Sequence, residues 1–527
     1  MDSGANKNVD ISVALDKLGR GSKLVWTVFF FTVLSTFFSA LHTVSYIFTA
    51  EIPEYACSIP ELRSVNWSAS EIKNISTASG SCKKYNYNYT YLADLSFEDA
   101  LEQTKPLQSK LEVITCSTFT FGDSKWLTIV EEWDLVCEKE MYRANSYLVF
   151  VLGKLVSSGI FGILADTYGR KRSIIIGVLM QIIAGPLCAI VPWFWAFLSL
   201  RFIIGMSLTA IQFSSLTILT EISTSKYKRW LGVAFNVGYS IGTIIVAGIA
   251  YYLPHWRHLQ LAISISAIVM VFYTYFIPES PKWLLTQNRF EEAKTMVEKY
   301  TKLKISQIDL QKDESEKIDN TYSKNSLENL NILFSSSKLR KRLFSMNFSW
   351  FISSMTSFVL VLNIDNYKSN RYLYVLMMGI TEMPTYFVAS IILIFMGRRK
   401  STVILYLITC VCLLSIVAVP HDHKGLIVGI TLAGRFALNA VSSIIILITS
   451  DLFPTEVRNS AVGMSSLMAQ IGSLAAPYVV HLLGKVAWWA PTTLCGILAF
   501  ATGILSIMIP ESEDTNSETN LEEKVVI

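Results

Sequence analysis

A chain of 527 residues with mean hydropathy +0.42, 52% hydrophobic and 16% charged residues, is too apolar for a soluble enzyme, because soluble domains carry roughly 25% charge. The net charge of +4 is too small to argue for a nucleic-acid partner, and most charged residues sit between apolar runs rather than in them.

Taken in chain order, a polar stretch at 1–23 precedes twelve apolar runs, each about the roughly 20 residues a bilayer needs. They begin near Leu24, Ser146, Ser173, Trp195, Trp230, Leu259, Leu343, Tyr372, Thr402, Gly425, Ser460 and Trp488. The first run lacks a convincing cleavage site, so it reads as a span that stays. The runs divide the chain into a first bundle at 24–278, a linker at 279–342, a second bundle at 343–509 and a tail at 510–527. Lys7, Lys17, Arg20 and Lys23 precede the first run. Arg170-Lys171-Arg172, Lys226, Lys228, Arg229 and Arg398-Arg399-Lys400 fall in alternate loops. The positive-inside rule therefore predicts two cytoplasmic termini in the plasma membrane. The opposite loops are not free of positive charge: Arg257, Lys368, Arg371, Lys424 and Lys485 lie there.

The loop at 51–143 is expected outside the cell. It holds three glycosylation sequons, at Asn66, Asn74 and Asn88, and four of the eight cysteines, Cys57, Cys82, Cys116 and Cys137. Four cysteines in one small extracellular loop read as two disulfides, with three pairings open. A further sequon at Asn347 begins a span and is expected to be unused. The remaining cysteines, Cys188, Cys410, Cys412 and Cys495, fall in apolar runs as small packing residues. The linker, rich in Lys, Glu, Ser and Asn, reads as a solvated cytoplasmic segment. The tail ends Val525-Val526-Ile527, a form that a scaffold protein could capture, against the plainer reading of a disordered end.

Landmarks recur about 230 residues apart: Gly169-Arg170-Lys171 as Gly397-Arg398-Arg399, Arg201-Phe202 as Arg435-Phe436, Arg229 as Arg458, and Pro278-Glu279-Ser280 as Pro510-Glu511-Ser512. Two homologous halves in one membrane protein are the mark of a transporter. Gly162 and Gly169 would let helices approach closely. Asp166, with Arg170 and Lys171, forms a charge cluster suited to a gate with two discrete arrangements; as a mere topology marker the basic residues would need no Gly/Asp spacing. The second copy has Ile394 where the first has Asp166.

The stretch Gly162-x-Leu164-x-Asp166-x-x-Gly169-Arg170-Lys171 resembles the loop signature of the major facilitator superfamily, and Arg201-Phe202-x-x-Gly205, Glu221 and Arg229 resemble its fourth-span elements. Pro278-Glu279-Ser280-Pro281-Lys282-Trp283-Leu284 is similar to a motif shared by sugar porters and organic ion transporters. The long loop with four cysteines, together with Asp451-Leu452-Phe453-Pro454-Thr455-Glu456-Val457-Arg458-Asn459, resembles the organic cation, carnitine and organic anion transporter family. This resemblance implies an all-α membrane protein of major facilitator fold. Twelve transmembrane helices would form two pseudo-symmetric six-helix bundles around a cavity open alternately to each side.

Charge inside a span costs roughly 2.5–3.5 kcal/mol on insertion scales, so each instance needs a reason. Arg201 and Arg435 occupy matching places, and either pair with carboxylates such as Asp166, Glu221 or Asp451 or act in transport. Glu382, two residues before Pro384, matches an acidic cavity position of the organic cation transporters. Tyr386 stands where the anion transporters carry lysine, and Gln470 where cation transporters have aspartate and anion transporters arginine. Lys154 could hold a substrate carboxylate, cancel Glu382, or contact a carbonyl. Trp350, Phe351 and Tyr386 offer aromatic faces to an amine. His42 reads as a polar packing residue rather than a proton relay. The expectation is a carrier of small organic cations or zwitterions, with an organic anion exchanger as the alternative and a channel or receptor disfavoured by the two-fold repeat. No phosphate loop, metal-ligand cluster or nucleophile with its base is present in the sequence, so neither an enzyme nor a cofactor is expected.

Overall fold

The structure is a computed structural model describing residues 11–77, 81–106, 111–121, 127–303, 333–334, 336–367, 369–453 and 457–507. Most of the linker and the whole tail, including Pro510-Glu511-Ser512 and Val525-Val526-Ile527, lie outside the described residues. So do the side chains of Arg229, Ile394, Asp451 and Arg458.

The first half runs through α1 (Lys23–Val44), α2 (Glu140–Tyr168), α3 (Arg170–Ile190), α4 (Phe194–Ile222), α5 (Val237–Tyr252) and α6 (Trp256–Phe276), the last broken briefly at Ala267-Ile268. The second half comprises α7 (Ser337–Leu362), α8 (Arg371–Met396), α9 (Arg398–Ser415), α10 (Lys424–Leu452), α11 (Arg458–Val486) and α12 (Ala490–Ser506). Among the described residues eleven helical segments are long and apolar enough to cross a membrane, and Ala490–Ser506 is a shorter twelfth. Hydroxyls within the spans are turned back on their own helices: Thr32 Oγ1 donates to the Val28 carbonyl (2.8 Å) and Thr449 Oγ1 to that of Ile445 (2.6 Å). Such bonds satisfy polar groups where no water is at hand.

The two-fold repeat of the sequence reappears as packing. Within the halves α1 packs on α5 and α7 on α11; between them α2 meets α11 and α5 meets α8. Exchanging the halves turns each of these pairs into its counterpart. Small residues set the closest approaches. A Cβ on Gly153 of α2 would fall on the carbonyl of Phe202 in α4, and one on Gly205 of α4 on the carbonyl of Phe150 in α2. The turns α2–α3 and α8–α9 are also copies: Gly169 (φ +107°) and Gly397 (φ +73°) both adopt a conformation that favours glycine.

One face of the bundle, the turn face, carries the α2–α3 and α8–α9 connections. It also bears the short helix Ile11–Gly19, which packs against Phe290–Thr301 of the linker. The other is the capped face, where residues 51–136 form a small domain. The cap contains two antiparallel two-stranded sheets, β1 (Tyr55–Cys57) with β4 (Phe119–Phe121) and β2 (Lys83–Tyr85) with β3 (Val113–Thr115). Disulfides Cys57–Cys116 and Cys82–Cys137 select one of the three open pairings. A separate core of Ile59, Leu62, Ile72, Ile75, Tyr89, Leu92 and Ala100 supports the cap; a domain this small needs such staples. Asn66, Asn74 and Asn88 are exposed on it. Asn347 is instead half-buried in α7 and accepts a hydrogen bond from Ser465 (2.9 Å).

The cap is fixed to the first half. The Trp133 ring lies 5.0 Å from that of Phe197 and 5.5 Å from that of Trp256. Glu132 accepts from Trp256 Nε1 (2.7 Å) and pairs with Arg257. Arg257 in turn donates to the carbonyls of Ala189, in the last turn of α3, and of Val191, which follows it.

Gly205→Leu is expected to cost about 3 kcal/mol by overpacking the α2–α4 contact. The control Gly248→Leu, where an added Cβ meets nothing within 4 Å, should be tolerated. Melting temperature and yield of purified protein test the contrast, and equal loss in both variants would refute it.

Candidate functional site

Three groups of polar side chains fall between or beside the halves, and the helices that carry them explain each. At the turn face, Arg170 begins α3 directly after Gly169. Its Nη2 lies 3.0 Å from Asp166 Oδ1 and 3.1 Å from Glu221 Oε1, and Nη1 donates to the Ala165 carbonyl (3.2 Å). Glu279 accepts from the backbone N–H of Arg170 (3.0 Å) and of Lys171 (3.1 Å), so it caps the start of α3. Trp283 Nε1 donates to the Asp166 carbonyl (2.8 Å). The motif after α6 is thus a clamp on the α2–α3 turn, a role its sequence did not suggest. Burial pushes the Glu279 carboxyl above the usual glutamate range, while the amides of Ser280, Lys171 and Arg170 pull it down.

Every described partner in this cluster belongs to the first half or to the start of the linker. A charge cluster able to hold the bundles together was expected; in this state it ties α2, α3, α4 and the segment after α6 to one another. The halves are apart here. A cleft of about 710 Å³ separates Gly162, Asp166, Arg170 and Thr217 from Gly463, Ser466, Leu467 and Gln470. The Asp166 side chain is 76% exposed, and a Cβ on Gly162 would meet nothing within 4 Å. Gly162 therefore makes no close helix contact in this state, and Gln470 lines the cleft.

Arg201 needs a correction. It is the eighth residue of α4, near the capped face, whereas Glu221 is at the other end of that helix, about 30 Å away at 1.5 Å per residue. It therefore cannot join the Asp166–Arg170–Glu221 cluster. Its guanidinium instead lies over the rings of Phe197 (5.4 Å) and Phe150 (5.9 Å).

Midway through the bundle, a cavity of about 280 Å³ is lined by α5, α7, α8 and α10. Trp350, Glu382, Tyr386 and Arg435 meet there, together with Tyr239 and Asn439. Glu382 and Arg435 are both buried, with Arg435 Nη2 3.8 Å from Glu382 Oε1. Asn439 Nδ2 donates to the same oxygen (3.2 Å), and Arg435 Nη1 donates to the Ser357 carbonyl (2.8 Å). Glu382 Oε2 and Arg435 Nε have no hydrogen-bond partner among the described residues. Trp350 Nε1 is anchored on Thr449 Oγ1 (2.9 Å), which fixes its ring. Phe351 is not in the lining: a Cβ on Gly472 would fall on its carbonyl, which places it at the α7–α11 contact. Lys154 does not reach Glu382 either; its Nζ lies 3.0 Å from Thr43 Oγ1 of α1.

At the capped face the halves are joined. Asp365, between α7 and α8, pairs with Arg143 of α2 and lies 3.5 Å from Arg371 of α8. Arg371 reaches across to Glu51 (2.8 Å) and the Ile47 carbonyl (2.9 Å). Arg143 Nε donates to the Ala50 carbonyl (2.7 Å). Glu140 receives His481 Nδ1 (3.1 Å) and Lys485 (2.8 Å), and Tyr478 donates to Asn145 (2.8 Å). None of these acids was singled out from the sequence. The available signal was the set of basic residues that violate the charge bias: Arg257, Arg371 and Lys485 each meet an acid here.

Similarity to known proteins agrees with this architecture. A family model described as sugar (and other) transporter matches residues 77–518. An organic cation transporter protein of Drosophila melanogaster is 30% identical over 514 residues, covering 95% of this chain and 92% of the relative. Solute carrier family 22 member 16 of Xenopus laevis is 28% identical, covering 96% and 93%, and solute carrier family 22 member 2 of Homo sapiens 26%, covering 94% and 91%. Among solved structures, the inward open conformation of the xylose transporter XylE from E. coli superimposes with a TM-score of 0.58 at 14% identity, covering 92% of this chain and 97% of that one; this likeness concerns the fold. A two-fold helical bundle with a cavity at its centre, closed on one face and open on the other, is the frame of a secondary transporter, and this multi-pass membrane protein belongs to the sugar transporter family of the major facilitator superfamily, in the branch of the organic cation transporters and solute carrier family 22.

Proposed function

We propose that the protein carries small organic cations or zwitterions, such as amines and betaines, across the plasma membrane by alternating access. The observation that carries this reading is Glu382: a buried carboxylate in a cavity between the halves, with one oxygen unpartnered among the described residues and the rings of Trp350, Tyr239 and Tyr386 in the same lining. An ammonium group can take the free oxygen while aromatic faces replace its water. Arg435 lies close enough to offset the charge of Glu382, so an incoming cation competes with the guanidinium. A zwitterion compensates both.

The charge bias of the loops supports a cytoplasmic turn face and an extracellular cap, where the three exposed asparagines would be glycosylated. In that orientation the structure is open to the cytosol. The ion pairs Arg143–Asp365, Arg371–Glu51 and Lys485–Glu140 act as the outer gate. The Arg170 cluster waits on the first half, and its partners across the cleft would be met only when the inner face closes. A substrate shifts this equilibrium only through different affinities for the two states, and the Glu382 cavity at the interface is where such a difference can arise.

Glu382→Gln should lower uptake of a cationic tracer about tenfold or more, with surface expression unchanged; wild-type uptake would overturn the role of Glu382. Asp365→Asn removes a carboxylate from both arginines, with charge-assisted bonds of about 1.5–3 kcal/mol each at stake. It should raise labelling of a cysteine introduced in the outer vestibule about tenfold, and unaltered labelling would count against the outer gate. Because the Glu279 pKa is raised, this carboxylate takes up a proton as cytoplasmic pH falls while exposed carboxylates remain ionised. Acidifying the bath around inside-out vesicles, which the turn face then meets, should therefore slow turnover of the wild type. Glu279→Gln, already neutral, should be slow at all pH values and show no such dependence.

A further inference from the structure

The first half holds a second set of buried polar groups that the Glu382 cavity does not use. Lys154 on α2 sets its Nζ over the Phe150 ring, 4.9 Å from the centroid, with Thr43 Oγ1 as its hydrogen-bond partner. Arg201 on α4 shares that ring, and its Nη2 has no hydrogen-bond partner among the described residues. His42, the neighbour of Thr43 on α1, is fully buried, neither ring nitrogen is partnered, and it lies within electrostatic reach of both cations. Among the described residues no carboxylate pairs with Lys154 or Arg201, in contrast to Arg143, Arg170, Arg257, Arg371 and Arg435, which all have one.

Ring faces offset part of the cost of a buried cation, but they leave N–H donors unsatisfied, and an uncompensated buried charge costs several kcal/mol. Here two cations from α2 and α4 share one phenylalanine ring, a buried histidine of α1 lies within their electrostatic reach, and no described acid pairs with either cation. Such a set lacks a negative charge that the described protein does not supply. Lys154 is only half-buried, so the cluster is reachable at that residue. We propose that His42, Lys154 and Arg201 form a binding site for one small monoanion: the carboxylate of a zwitterionic substrate or a free chloride. The carboxylate source rests on the transport reading above; binding of the anion does not. Because Glu382 stands on the other half, a zwitterion held by both sites would link the two bundles through its own charges.

The test uses the purified full-length protein, with Lys154→Gln and the charge-conserving Lys154→Arg beside the wild type. Melting temperature is measured in isethionate, in chloride, and in isethionate with glycine betaine or choline, two ligands that share a quaternary ammonium and differ in the carboxylate. Uptake of betaine and choline is then measured after reconstitution. A free-anion site predicts that chloride raises the wild-type melting point by a few degrees, that Lys154→Gln loses the shift and that Lys154→Arg keeps it. A substrate-carboxylate site predicts stabilisation by betaine beyond that by choline. It also predicts that Lys154→Gln loses betaine uptake about tenfold relative to choline while Lys154→Arg retains it. The proposal is overturned if neither chloride nor betaine stabilises the wild type beyond isethionate and choline, or if Lys154→Gln responds as the wild type does. Absence of uptake of both tracers by the wild type would sink the transport reading, and the melting measurements would still decide the anion site.

Discussion

Asp365 accepts arginines from both halves of the molecule, Arg143 from the first and Arg371 from the second, and so ties the halves to each other at the capped face. Lipid provides little hydrophobic drive for one helical bundle to adhere to another, so packing and polar contacts decide how the halves sit. At the capped face these contacts are ion pairs and arginine–carbonyl bonds; at the turn face the charges are satisfied within the first half and a cleft remains. The asymmetry between the faces, rather than any difference in helix packing, defines the state of the molecule. Charge networks of this kind suit a two-state device because they are directional and break as a unit.

Much of this architecture is legible in the sequence because a membrane imposes lengths and periods on a chain. Twelve apolar runs, the charge bias of the loops and the spaced copies of Gly169-Arg170 and Gly397-Arg398 each have a local cause, and local causes can be read in order along a chain. The two positive-φ glycines are the clearest case, since the same turn is built twice by the same residue. The partners of the charges were not legible in this way. Arg143 and Asp365, or Glu382 and Arg435, are brought together only by the packing of distant helices, and nothing in their immediate neighbours encodes the choice. Arg201 shows the limit well: its repeat with Arg435 is real in the sequence, yet one faces a carboxylate and the other two phenylalanine rings. The cysteine pairing was closed to sequence for the same reason. Glu279 was visible as part of a motif, but its work as a cap on a helix more than a hundred residues earlier was not.

Charge in the spans is distributed by half as well as by depth. The second half keeps its acid and base together in the central cavity, close to neutral. The first half sets Lys154 and Arg201 against aromatic faces, with no described acid paired to either. Halves that descend from one repeat have thus diverged in electrostatics while retaining the same helix contacts. This is how one frame can host different solutes: glycine and turn positions hold the bundle, and a handful of buried side chains set the potential inside it.

The cap has a consequence for the molecule as met at its capped face. Trp133 packs into the aromatic cluster of Phe197 and Trp256, and Glu132 is held by Arg257, so the cap is anchored to α3, α4 and α6 of the first half. Bound in this way, it would travel with that half once the Glu51–Arg371 pair to the other half is broken. Any rocking of the first bundle in the lipid is thereby converted into a displacement of a folded, disulfide-stapled domain in water. The cap is in effect a pointer attached to a hidden lever, and a protein ligand gripping it would sense, or arrest, the motion of helices it never touches.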